Sequence, residues 1–131
     1  MTFFVDENVS PKLAQILDIF DQRNEVRHLL DYFEAGTPDI EWLQGLGRWS
    51  PKPAVVCGDG RILRNAVERA ALLESELTFV CLAPGWMKTR FEDQAWKLLK
   101  AWPNVAQNVV GVHRPTRFEL SVGNLKLRRL S

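Results

Sequence analysis

The chain has 131 residues and a formal net charge of +1, room for one folded domain and too balanced to signal nucleic-acid binding by charge alone. Hydrophobic residues make up 46% and charged residues 25% of the sequence, which fits a globular domain and excludes a disordered or fibrous chain. No apolar run approaches the roughly 20 residues of a membrane span, Met1–Asp6 lacks the basic and long apolar regions of a secretory signal, and two cysteines without CxxC spacing exclude a disulfide scaffold; a cytoplasmic location is expected.

Phe3-Phe4-Val5 is a short continuous apolar run, the pattern of a strand buried on both faces. Ser10-Pro11 supplies a helix cap followed by proline at the first helical position. Leu13, Ile16, Leu17 and Phe20 then recur at helical spacing. Val26 to Leu30 reads as a second strand. Thr37-Pro38 repeats the cap-plus-proline start, Ile40, Leu43 and Leu46 share one helical face, and Gly45 and Gly47 are expected to end that helix.

Pro53 to Cys57 reads as a third strand, stopped by Gly58-Asp59-Gly60. A third helix is expected from about Ile62 to Leu73, with Ile62, Ala66, Ala70 and Leu73 in phase. Leu77 to Leu82 is a fourth strand, stopped by Ala83-Pro84-Gly85. Phe91, Ala95, Leu98, Leu99 and Trp102 form an apolar stripe on a fourth helix, which Pro103 is expected to end. Phe118–Val122 and Leu125–Leu130 flank Gly123-Asn124, a pair suited to a type II′ hairpin. Cys57 and Cys81 each fall in a buried strand and read as small core hydrophobes.

Strands alternating with helical segments predict an α/β fold with a mostly parallel sheet. No repeat or long linker divides it, so residues 1–131 are expected to form a single domain. In such a sheet, ligands bind outside the carboxyl ends of the strands. Asp6 directly follows the first strand, and Asp59 follows the third within two residues. Asp39 lies in the first turn of the second helix and joins them if the preceding connection returns to that edge.

Three converging carboxylates would repel one another and raise each other's pKa. A hard divalent cation, Mg²⁺ or Mn²⁺, relieves that conflict and can activate water for phosphodiester hydrolysis. Glu7 and Asn8 flank the site, and Asn8 is placed to orient a ligand. Arg61, Arg64 and Asn65 open the third helix, where backbone N–H groups favour anions. Glu41 and Glu68 read as exposed helix positions. His28 and His113 lack ligand-type neighbours in sequence and read as structural. Trp42 and Trp49 are expected against the second helix. Trp86 is expected in the core, with base stacking as its alternative. Trp96 and Trp102 read as core or partner-facing. The basic residues Lys126, Arg128 and Arg129 cluster near the C-terminus.

Three segments resemble a known family. Val5-Asp6-Glu7-Asn8-Val9-Ser10-Pro11, Gly36-Thr37-Pro38-Asp39-Ile40-Glu41-Trp42-Leu43 and Asp59-Gly60-Arg61-Ile62-Leu63-Arg64-Asn65 are similar to the PIN-like domains of VapC-type toxins. The likeness is to a subgroup with a DEN first motif and a PDxEW second motif. Ala101-Trp102-Pro103 and the C-terminal hairpin fit it too.

The resemblance implies a Rossmann-like three-layer fold, Mg²⁺ or Mn²⁺, and endoribonuclease activity on RNA. It also implies a cognate antitoxin protein that blocks the site. Asp6, Asp39 and Asp59 take the family's acidic positions as catalytic metal ligands, and Asn8 matches the asparagine of the DEN motif. Cys57 stands where a Thr or Ser is common, and Arg61 where another acid is common. The tryptophan-bearing fourth helix and the hairpin fit a self-interface in a homodimer.

Two further readings remain open. One is a PIN-like module that binds RNA or a protein without cutting. The other is a receiver-like signalling domain with Asp6-Glu7 and Asp59 around a phospho-acceptor pocket. The last needs a hydroxyl after the fourth strand and a lysine after a fifth, and Ala83-Pro84 follow the fourth.

Overall fold

The computed structural model describes residues 1–58 and 66–130. Six strands form one sheet in the order β2-β1-β3-β4-β5-β6. They are β1 (Thr2–Val5), β2 (Glu25–His28), β3 (Ala54–Cys57), β4 (Thr78–Leu82), β5 (Arg117–Leu120) and β6 (Leu127–Arg129). All neighbours pair in parallel except β5 and β6. The helices are α1 (Pro11–Phe20), α2 (Asp39–Gly47), α3 (Ala66–Ser75 of the described residues) and α4 (Phe91–Gly111).

The expected α/β class with a parallel sheet and a C-terminal hairpin is therefore what the chain adopts. Successive strand residues point to opposite faces, which sorts the core into two layers. Phe3, Val5, Val56, Val80 and Leu82 pack with α1 and α4. Phe4, Val55, Cys57, Phe79 and Cys81 pack with α2 and α3. Cys57 and Cys81 are free and buried, their Sγ atoms 3.2 Å apart.

The Ser10 cap forms as expected, its Oγ accepting from Lys12 N at 3.2 Å, with Pro11 first in α1. Other local expectations are corrected. β2 stops at His28, and Leu29–Asp31 form a 3-10 turn. The His28 side chain causes the break: Leu30 N donates to its Nδ1, while Asp31 accepts from His28 N. At α2, Pro38 rather than Thr37 occupies the cap position, and Thr37 Oγ1 donates to Glu34 O instead.

Gly45 lies inside α2, where a Cβ would sit 3.1 Å from the Phe33 ring. α3 buries Ala71, Leu72 and Ser75, and Leu73 is 74% exposed, so its inward face is rotated from the one expected. The expected start of that helix lies outside the described residues.

Pro103 does not end α4, which runs on to Gly111. The proline points outward while Val105, Ala106 and Val109 continue the buried stripe. Tertiary packing thus outweighs one missing N–H donor. The hairpin is also longer than a two-residue turn. Leu120 pairs with Leu127, Ser121 N donates to Lys126 O, and the positive φ falls on Leu125 at 57°, not on Gly123.

Candidate active site

Strand order reverses between β1 and β3: the chain moves outward to β2, then returns across β1 to β3. Such a switch point opens a crevice at the carboxyl ends of the two strands. Asp6 is the first residue beyond β1 and sits in that crevice. Its N–H donates to Val56 O at 3.0 Å, extending the sheet by one rung. Its Oδ1 accepts from Asn8 N at 3.1 Å and from Gly58 N at 3.3 Å.

The loop carrying Asp6 is held from three sides. His28 Nε2 lies 2.7 Å from Val9 O. Because Leu30 N donates to the other ring nitrogen, Nε2 carries the proton and donates to Val9. Glu7 Oε1 accepts from Gly36 N at 2.9 Å, tying this loop to the segment before α2. A Cβ on Gly58 would lie 2.9 Å from Val9 and 2.8 Å from Met87 Sδ; only glycine fits between these neighbours.

Asp39 opens α2, and its Oδ1 accepts from the buried Trp42 Nε1 at 2.9 Å. Asp6 and Asp39 both line one cleft of about 310 Å³. Glu7, Glu34 and Glu68 line it as well, with Leu29, Leu30, Phe33 and Trp42 among its apolar walls. No lysine or arginine is among its described lining residues.

Asp6 is only 7% exposed. Burial first, and the charge of Asp39 in addition, push its carboxyl up to about 6 from 3.8, against the opposing hydrogen bonds from Gly58 and Asn8. The carboxyl thus resists ionisation unless a cation joins it. Mg²⁺ commonly takes one or two carboxylates and completes its shell with water, and carboxylates are the donor chemistry that Asp6 and Asp39 bring to the cleft. No group of three His, Cys, Asp or Glu side chains among the described residues is arranged to hold a metal.

Asn8 stays at the cleft, and its backbone N–H donates to Asp6. Asp59, Arg61, Arg64 and Asn65 lie outside the described residues. Glu41 is exposed, as its sequence position suggests, but Glu68 is half-buried and faces the cleft. Glu34 was not singled out by any motif. Both belong to segments that leave the carboxyl edge of the sheet, and that placement is the signal that finds them.

Trp86 is fully buried and donates to Leu120 O at 2.9 Å, so it is a core residue and not a base-stacking platform. Ala83 follows β4, where a receiver pocket needs a hydroxyl, and Ser121 follows β5, where it needs a lysine. No helix among the described residues is long and apolar enough to cross a membrane.

A doubly wound α/β domain with an acid-lined cleft at its switch point is thus defined. The sequence model of the PIN-like domain family matches residues 1–84, and the chain belongs to that family. No curated protein and no solved structure matches it.

Proposed function

We propose that the protein is a metal-dependent endoribonuclease of the VapC toxin type, acting on RNA in the cytoplasm as a single domain. The observation that carries this reading is the meeting of Asp6 and Asp39, distant in sequence, in one cleft of a PIN-like fold. Asp6, Asp39 and Asp59, the last one residue beyond Gly58, would hold Mg²⁺ or Mn²⁺. The ion, when bound, polarises a phosphoryl oxygen and lowers the pKa of a coordinated water.

Around it the chain's own groups position and exclude. Gly58 and Asn8 N–H groups fix the Asp6 carboxylate. Trp42 fixes Asp39. Phe33, Leu30 and Trp42 keep one side of the cleft apolar. Arg61, Arg64 and Asn65 are assigned to the phosphate side of the substrate. A cognate antitoxin is the expected partner, covering the cleft.

The test is cleavage of labelled RNA by the purified protein with Mn²⁺ or Mg²⁺. Asp6→Asn, Asp39→Asn and Asp59→Asn should each lower the single-turnover rate by about 10²-fold or more. Unchanged rates in all three would sink the nuclease reading. A second reading, a PIN-like module that binds without cutting, is favoured by Cys57 and Arg61 where the family often has a hydroxyl and an acid. Retained RNA binding with no cleavage in either metal would select it.

A further inference from the structure

Residues 86–131 hold nine lysines and arginines against three acids, whereas residues 1–85 hold eight against thirteen. The near-zero net charge therefore hides an acidic part, which contains the cleft, and a basic part, which lies beyond the family match. Several of these cations converge on the carboxyl edge of the sheet, beside the cleft. Lys88 closes the 3-10 turn Trp86–Lys88 that follows β4. Lys126 lies in the loop that follows β5. Lys97 lies in the second turn of α4, which starts from the same edge.

Contacts join these three segments into one surface. Lys97 Nζ donates to Val122 O at 3.2 Å. Gln94 Nε2 donates to Trp86 O at 2.7 Å. The position of a Cβ on Gly85 is 3.2 Å from Val122. The surface adjoins the loop behind Asp6, because Met87 packs over Gly58, whose N–H holds Asp6.

Trp96 is 50% exposed here, with Lys97 Nζ 5.7 Å from its ring centroid. Exposed cations interleaved with an aromatic face are the chemistry that holds single-stranded nucleic acid. The described lining of the acid cleft offers RNA phosphates no cation, and an RNA longer than the cleft needs phosphate contacts beyond those assigned to Arg61 and Arg64.

We propose that this edge, with Lys88, Lys97 and Lys126 on phosphates and Trp96 stacking a base, docks the single-stranded RNA that leads into the acid cleft. The inference rests on the RNA reading of that cleft, but it is tested without cleavage. Binding of a short labelled single-stranded RNA is measured in EDTA on the Asp6→Asn background. Charge reversal at two exposed positions, Lys88→Glu with Lys126→Glu, should weaken binding about tenfold or more. It should also flatten the slope of log affinity against log salt by about 1.4, near 0.7 per lost phosphate contact.

Trp96→Ala should weaken binding and leave that slope in place. Arg114→Glu, a single charge reversal before β5 at the opposite edge, should leave binding unchanged, whereas Lys88→Glu alone should weaken it. Wild-type affinity in the double variant, or equal loss in Arg114→Glu, would overturn the inference. So would a polyglutamate peptide that displaces RNA as well as unlabelled RNA does, since the surface would then be made for an acidic protein segment. Binding that behaves as expected in a protein that never cleaves would leave this surface standing while the nuclease reading fails.

Discussion

At the scale of single residues, Asp6 is the group whose chemistry is most altered by folding. The unfolded chain ionises it near 3.8, whereas the folded chain keeps the proton until about 6. Between those values the folded state binds more protons than the unfolded state. Stability therefore falls as pH rises through that window, by about 3 kcal/mol once Asp6 is fully ionised. Asn at position 6 keeps an oxygen for Gly58 and Asn8 but carries no charge.

Asp6→Asn is thus expected to raise stability by about 1–3 kcal/mol at pH 8 in EDTA and to leave it nearly unchanged at pH 4, read from urea melts at both values. A loss of stability at pH 8 would mean that the carboxylate is better solvated than its burial indicates. Divalent metal should distinguish the two proteins. A ligand that binds only the folded state raises its melting temperature. Mn²⁺ should therefore raise that of the wild type at pH 7.5, progressively less as pH falls below about 6, and have little effect on Asp6→Asn. An equal Mn²⁺ shift in the two proteins would place the ion away from Asp6.

At the scale of elements, α4 tests how far local rules decide structure. Pro103 cannot donate to Leu99 O, and its ring crowds that carbonyl. The helix persists because Trp102, Val105, Ala106 and Val109 bury one face against α1 and the sheet. Pro103→Ala restores the donor, partly offset by a more flexible unfolded chain. A gain of about 1–2 kcal/mol is expected in urea unfolding. A loss would show that Trp102 needs a bend at Pro103 to seat against Phe3, where the rings meet edge-on at 4.9 Å.

The same helix marks what the sequence could and could not disclose. Continuous apolar runs gave β1, β3 and β4 because strands covered on both faces need nothing else. Pro103 read as a terminator because the buried stripe beyond it is a tertiary fact. Gly123-Asn124 read as a tight turn, yet the pairing of Leu120 with Leu127 sets a longer loop. The inward face of α3 was misplaced because alanine spacing says little about which side meets α2. At the site, Asp6 was legible from its place directly after a strand. Its meeting with Asp39 depends on the return of the chain from β2, and the approach of Glu34 and Glu68 depends on loop paths that no local pattern encodes.

At the scale of the whole molecule, the family match and the folding unit do not coincide. The match ends at Pro84, yet β4 gives its outer edge to β5 over four paired positions. Removing α4 uncovers the sheet face built from Phe3, Val5, Val56 and Val80, and leaves α1 without its helical neighbour. Ending the chain at Pro84 also removes Trp86 and Trp102, both fully buried. Asp21 then loses the Trp102 N–H it accepts at 2.9 Å. An open apolar face and a bare edge strand favour association over a folded monomer. A fragment of residues 1–84 is therefore expected to show no cooperative thermal transition by circular dichroism and to aggregate at concentrations where the full chain stays monodisperse. A cooperative melt from that fragment would mean that the acidic part folds by itself. The basic part would then be a separate addition to the PIN-like core rather than half of its support.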